Sequence, residues 1–111
     1  MIGRVFNKVE NFNNEELRFD EMRFFHEQDC CESVGIEEII GDLSDLEGSP
    51  ILVAESVTQE QNTNWGHQTA TFYKFITLKG SVTVRWLGES NGYYSEHVYF
   101  DNGKKKKPRL L

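Results

Sequence analysis

Residues 71 to 78 and 81 to 87 are rich in β-branched and aromatic side chains and are separated only by Lys79-Gly80. Two such runs with so short a connection read as a pair of strands. A connection this short with a glycine in it suits a hairpin, because glycine accepts the positive φ that tight turns need. With that loop Thr77 faces Val82, Phe75 faces Val84 and Tyr73 faces Trp86. Reading Ser90-Asn91-Gly92 as a three-residue loop then pairs Trp86 with Glu96, Val84 with Val98 and Val82 with Phe100. The result is a three-stranded antiparallel meander with one continuous apolar face. A two-residue Asn91-Gly92 loop would turn Val98 and Phe100 outward, so the longer loop is preferred.

On the opposite face the same pairing aligns Lys74, Arg85 and His97, flanked by Tyr93, Tyr99 and Leu87. Like charges side by side on a sheet repel, so an acidic neighbour is expected, either Glu89 or a carboxylate from residues 55 to 60. The functional version of this row is a binding surface made of Lys74, Arg85, His97, Tyr93, Tyr99 and Glu89. It would take an anionic ligand or an acidic patch of a partner, with the tyrosines supplying contact area.

Earlier in the chain, a two-residue Asp20-Glu21 loop sets Phe19 opposite Met22 and Leu17 opposite Phe24, and carries His26 onto the apolar side. Residues 2 to 9 lean to a strand and 11 to 14 read as a turn. A strand from Glu32 to about Glu38 is followed by a short helix at 43 to 47, capped by Asp42 or Ser44 and closed by Gly48. A strand over 51 to 57 comes next, and 58 to 67, polar and without period, reads as a long loop. Together these predict an α+β fold: a mainly antiparallel twisted sheet, made of the C-terminal meander and an N-terminal hairpin, with one short helix. Residues 1 to 103 form a single compact domain and 104 to 111 a basic tail.

Residues 26 to 34 concentrate the reactive side chains. His26, Cys30 and Cys31 are of zinc-binding types, and Asp29, Glu32, His67 and His97 are the other candidates for a fourth ligand. In extended chain the two cysteines point to opposite sides, so one metal would capture one of them. The plainer alternative buries one cysteine as a small hydrophobe while His26 bonds to nearby backbone or carboxylate. A thiol nucleophile beside His26 is chemically reasonable, but Asp29 and Glu32 would oppose its ionisation. A disulfide between the adjacent cysteines is not expected.

The formal charge is −6, and four of the twelve basic residues sit together at Lys104 to Lys107, so the body is more acidic than the whole. Direct nucleic-acid binding by the folded part is disfavoured. No run of eighteen apolar residues offers a membrane span, and residues 1 to 5 lack a signal-peptide stretch, which points to a cytoplasm with reduced thiols.

Five blocks resemble a known family. They are residues 26 to 34 (His-Glu-Gln-Asp-Cys-Cys-Glu-Ser-Val), 41 to 46 (Gly-Asp-Leu-Ser-Asp-Leu), 51 to 55, 71 to 75 (Thr-Phe-Tyr-Lys-Phe) and 84 to 95, which contains Gly-Glu-Ser-Asn-Gly-Tyr-Tyr-Ser. The chain is similar to a small-protein domain of unknown function found largely in bacteriophages. Where that pattern would place a tryptophan before Thr71, this chain has Ala70, so the aromatic is lost or replaced by Trp65. The resemblance implies a phage setting and a sheet-rich domain, and it brings no substrate or catalytic residue. The expected function is a phage accessory protein that binds and inhibits or redirects a host protein in the bacterial cytoplasm. An anti-CRISPR or other anti-defence inhibitor of a nucleic-acid-binding protein is its sharpest form. The alternative is a zinc or catalytic-cysteine site centred on His26, Cys30 and Cys31.

Overall fold

The computed structural model describes residues 1–92 and 94–102. Among these residues eight strands form two four-stranded sheets. The first contains β1 (Val9–Phe12), β2 (Glu16–Phe19), β3 (Met22–Phe25) and β8 (Tyr99–Asp101) in the order β1-β2-β3-β8. The second contains β4 (Ser33–Ile40), β5 (Val53–Thr63), β6 (Gly66–Thr77) and β7 (Gly80–Ser90) in the order β4-β7-β6-β5. Every pairing between these strands is antiparallel. The helical content of the described residues is one 3-10 turn, Leu43–Leu46, so the fold is mostly β and not α+β as expected.

Local chemistry accounts for the turns. Asn13, Asn14 and Asp20 take left-handed φ of 52°, 59° and 54°, which asparagine and aspartate tolerate because their short polar side chains bond locally. The Asp20 carboxylate accepts the N–H groups of Asn7 and Lys8 at 2.9–3.1 Å, tying the incoming chain to the β2–β3 turn. Asp42 caps the 3-10 turn by accepting from the Ser44 N–H at 3.0 Å, and Gly48 leaves it at φ +72°. Thr77 donates to the Asp45 carbonyl at 2.5 Å and the Lys79 ammonium to the Glu47 carbonyl at 2.9 Å, so the turn is fastened to the end of the β6–β7 hairpin.

The sheets meet through aromatic side chains. Phe19 lies 4.9 Å from Phe75 and Phe24 4.7 Å from Tyr73, ring centre to ring centre, each pair bridging one sheet to the other. Phe6, Leu17, Leu46, Ile51, Val82, Val84 and Trp86 complete a buried core. The β2–β3 hairpin has the expected register, Leu17 opposite Phe24 and Phe19 opposite Met22.

Elsewhere the pairing departs from expectation. The β6–β7 loop is Leu78-Lys79, so Phe75 faces Val82 and Tyr73 faces Val84. That two-residue offset preserves which face each side chain occupies, and Phe75, Val84 and Trp86 stay inside. Residues 94 to 100 do not join β7 as a third strand. Its other neighbour is β4, with Ile36 opposite Trp86 and Ile39 opposite Val84 across a bulge at Glu37, and β8 pairs with β3 instead. Residues 58 to 67 are not a loop: β5 and β6 pair without interruption from Val53↔Ile76 to Thr63↔Gly66. Residues 2 to 8 form no strand beyond an isolated bridge from Phe6 to Glu47, and the chain becomes β1 only at Val9. The lysine run at 104 to 107 lies outside the described residues.

Because Phe19 touches both Phe6 and Phe75 at the centre of this core, Phe19→Ala should lower unfolding free energy by about 3–5 kcal/mol. The exposed Trp65→Ala should change it by less than about 0.5 kcal/mol. Urea denaturation of the two variants checks both.

Candidate functional site

After β7 the chain must pass from the second sheet to β8 in the first, and residues 94 to 98 make that crossing without regular structure. Two carboxylate–histidine contacts hold the crossing segment, one on each side.

The first is built from the His26 block. The His26 side chain is buried, and its Nδ1 lies 2.7 Å from the His97 carbonyl while its Nε2 lies 2.7 Å from Glu32 Oε2. The ring is thus held between two acceptors, a carbonyl and a carboxylate. Glu32, fully buried at its side chain, also accepts from the N–H groups of Cys30 at 2.8 Å and Asp29 at 2.9 Å. The Cys30 N–H and the His26 ring, helped by Asp29, outweigh burial and hold the Glu32 carboxyl at about 2. Gln28 closes the loop by donating to the Glu32 carbonyl at 2.6 Å.

The second contact is made by Glu96, which is buried against Gly88. A Cβ on Gly88 would sit 2.8 Å from that of Glu96, so only glycine admits the carboxylate here. Both Glu96 oxygens lie 3.0 Å from His67 Nδ1, the Ser90 hydroxyl donates to Oε2, and Thr69 adds a further bond. Burial pushes the Glu96 carboxyl up, but the bonds from Ser90, Thr69 and His67 win and it lies below its ordinary value. The carboxylate sits between hydroxyl and imidazole. Ser90 therefore donates its hydrogen bond to Glu96 and is not bonded to the imidazole, unlike the order in which histidine activates a serine.

Cys30 and Cys31 are exposed and joined to each other as a disulfide, against the expectation of separate reduced thiols. With His26 bonded at both nitrogens and the sulfurs bonded together, the expected zinc trio does not converge. Among the described residues no three His, Cys, Asp or Glu side chains are placed to hold a metal ion. Asp29 contributes its backbone N–H to Glu32.

The expected row of Lys74, Arg85 and His97 is divided. Lys74 and Arg85 do share the outer face of the second sheet, opposite Thr83 and Phe72 respectively. His97 lies on the crossing segment, and Tyr99 lies in the first sheet with its ring 6.0 Å from both Phe25 and His26. Tyr93 is outside the described residues. The acidic neighbours are Glu55 opposite Lys74, Glu38 opposite Arg85, and Glu37, 3.6 Å from the Arg85 guanidinium. Glu89 instead accepts from Gln68 at 3.0 Å. The pairing of Glu96 with Ser90 does not follow from the expected register. The available signal was that the expected register put Glu96 opposite Trp86 on the apolar face, where a carboxylate requires partners.

Residues 1–100 match the model of a family described as a domain of unknown function, DUF7448. The chain belongs to the DUF7448 family. No curated protein matches this DUF7448 chain significantly, and no solved structure does either. None of its described helices is long and apolar enough to cross a membrane, which says nothing of membrane-spanning strands.

A carboxyl whose pKa is lower in the folded state contributes stability above its unfolded value and loses it as pH falls through the folded one. For Glu32 that window runs from the ordinary carboxyl value of 4.5 down to about 2. Acid titration of unfolding free energy should therefore slope downward across this interval, and Glu32→Gln should flatten the slope there. Equal slopes in the two proteins would contradict the assignment.

Proposed function

We propose that this chain is a phage accessory protein that works by binding a host protein and inhibiting or redirecting it. Anti-CRISPR or other anti-defence inhibition is the sharpest form of that reading. The observation that carries the binding part is the β5–β6 hairpin. Its strands run eleven and twelve residues, its tip presents Trp65 at 74% exposure, and Val57 on its outer face is 58% exposed. Exposed aromatic anchors on a rigid element are the usual centres of protein-binding surfaces. The phage setting is supported by the resemblance of the His-Glu-Gln-Asp-Cys-Cys-Glu and Gly-Glu-Ser-Asn-Gly-Tyr-Tyr-Ser blocks. The charge of −6 favours a basic partner surface, such as the nucleic-acid channel of a defence protein.

The alternative of a metal- or thiol-dependent centre at His26, Cys30 and Cys31 has less behind it. Those side chains already serve one another and the crossing segment. In the favoured reading the block is a fastening and the hairpin is the working surface.

Site-specific photo-crosslinking in a bacterial cytoplasm tests this. A crosslinker at position 57 or 65 should trap one and the same host protein, whereas one at exposed Lys8, just before β1 of the other sheet, should trap none. An identical background of adducts from all three positions would refute the proposal.

A further inference from the structure

β5 is an edge of the second sheet and β8 an edge of the first, and both border the same opening between the sheets. Along one bank β5 runs from Ala54 to Glu60; along the other the chain runs back from Asn102 to Tyr94. A cavity of about 430 Å³ opens between Ala54, Glu55 and Ser56 on the first bank and Phe100 on the second, lined also by Phe24 and Tyr73. Farther along, a second cavity of about 210 Å³ opens between Glu60 and residues 94 to 97. Six residue steps of strand separate Ala54 from Glu60, roughly 20 Å.

The β5 edge keeps its outer backbone open. Its eleven residues, VAESVTQEQNT, contain no proline and no lysine, and its register with β6 has no bulge. Its outer backbone groups are thus a template for another strand. The acidic side chains on this bank are Glu55, which stands opposite Lys74 of β6, and Glu60; among the described residues neither lies within ion-pair distance of a cation. Arg4 lines the larger cavity with Glu55, and its guanidinium donates to the Met22 sulfur. A second copy pairing through β5 would bring two such acidic strands together, which like charges oppose.

We infer that this slot is a docking site for an extended basic segment of a partner protein, which adds to β5 as a further strand. The inference rests on the protein-binding reading above and gives it a recognition rule. Side chains alternate across a strand, and Ser56 faces the same side as Tyr73, its partner in β6. The residue opposite Ser56 therefore enters the larger cavity and is apolar or aromatic, meeting Phe24, Tyr73 and Phe100. Its neighbour opposite Glu55 is Lys or Arg on the outer face. Four positions beyond the aromatic, the residue opposite Glu60 is Lys or Arg again and faces the smaller cavity. Main-chain hydrogen bonds supply affinity and these three positions supply choice.

The test is selection of displayed twelve-residue peptides on the full chain. The enriched sequences should carry a basic residue next to an aromatic and a second basic residue four positions beyond it. Ser56→Lys, at an exposed position, puts a cation into the slot and should weaken a selected synthetic peptide by about tenfold or more. Glu55→Lys with Glu60→Lys should switch selection to acidic peptides. Absence of enrichment, peptides without the basic pair, or affinity indifferent to all three substitutions would overturn the inference. So would dimerisation through β5, or binding seen only after removal of residues 103–111, since these assign the slot to a second copy or to the chain's own tail. If crosslinking from position 65 to a host protein survives Ser56→Lys, the binding reading stands while the slot falls.

Discussion

Burying a carboxylate is tolerated only where donors surround it, and this fold does so twice, at the two contacts that hold one short crossing. Glu96 enters the chain's own second sheet at Gly88 and finds His67, Ser90 and Thr69 waiting. One residue later the His97 carbonyl is met by His26, which Glu32 holds from behind. Neither contact is part of a strand ladder, yet together they fix where the segment leaves β7 and how it arrives at β8. The aromatic core sets the sheets face to face, and these polar contacts decide the route between them.

The division runs along the inner face of the second sheet. At one end Phe75, Val82, Val84 and Trp86 pack against Phe19 and the 3-10 turn. At the other, Thr69, Gly88 and Ser90 offer hydroxyls and space where large apolar groups would be. One sheet thus carries a dry end that stabilises and a polar end that positions. β5 continues past the dry end, which explains why its far half shows little hydrophobic period: neither side of it meets the core.

That explains what could be read in the sequence and what could not. Leu17, Phe19, Met22 and Phe24 announce a hairpin because a tight turn fixes register locally, and the observed pairs follow. Inward and outward faces of β6 and β7 were legible because an offset of two leaves parity intact. The identity of β7's second neighbour was not, since Val34, Ile36 and Ile39 offer the same alternation as residues 96 to 100 and the bulge at Glu37 hides it. Residues 58 to 63 were invisible as strand because backbone pairing, not apolar patterning, holds them. His26 was correctly placed on a sheltered side, but the sequence could not reveal that Glu32, six residues on, would curl back to meet it through the N–H groups of Cys30 and Asp29. For the same reason the neighbouring cysteines read as separate ligands, although the tight loop that delivers those N–H groups also brings their sulfurs together.

The choice of acid on β5 is then informative in itself. An exposed edge must be kept from pairing with copies of itself, and lysine, proline or a bulge would do that equally well. Glu55 and Glu60 discourage self-pairing by repulsion between acidic copies, and they do so while attracting basic chains, which lysine would repel. A bulge or proline would have closed the edge to every partner. Keeping the backbone open while biasing its charge is a selective guard. It is what a surface needs if it must stay monomeric among acidic copies and still accept a strand of opposite sign.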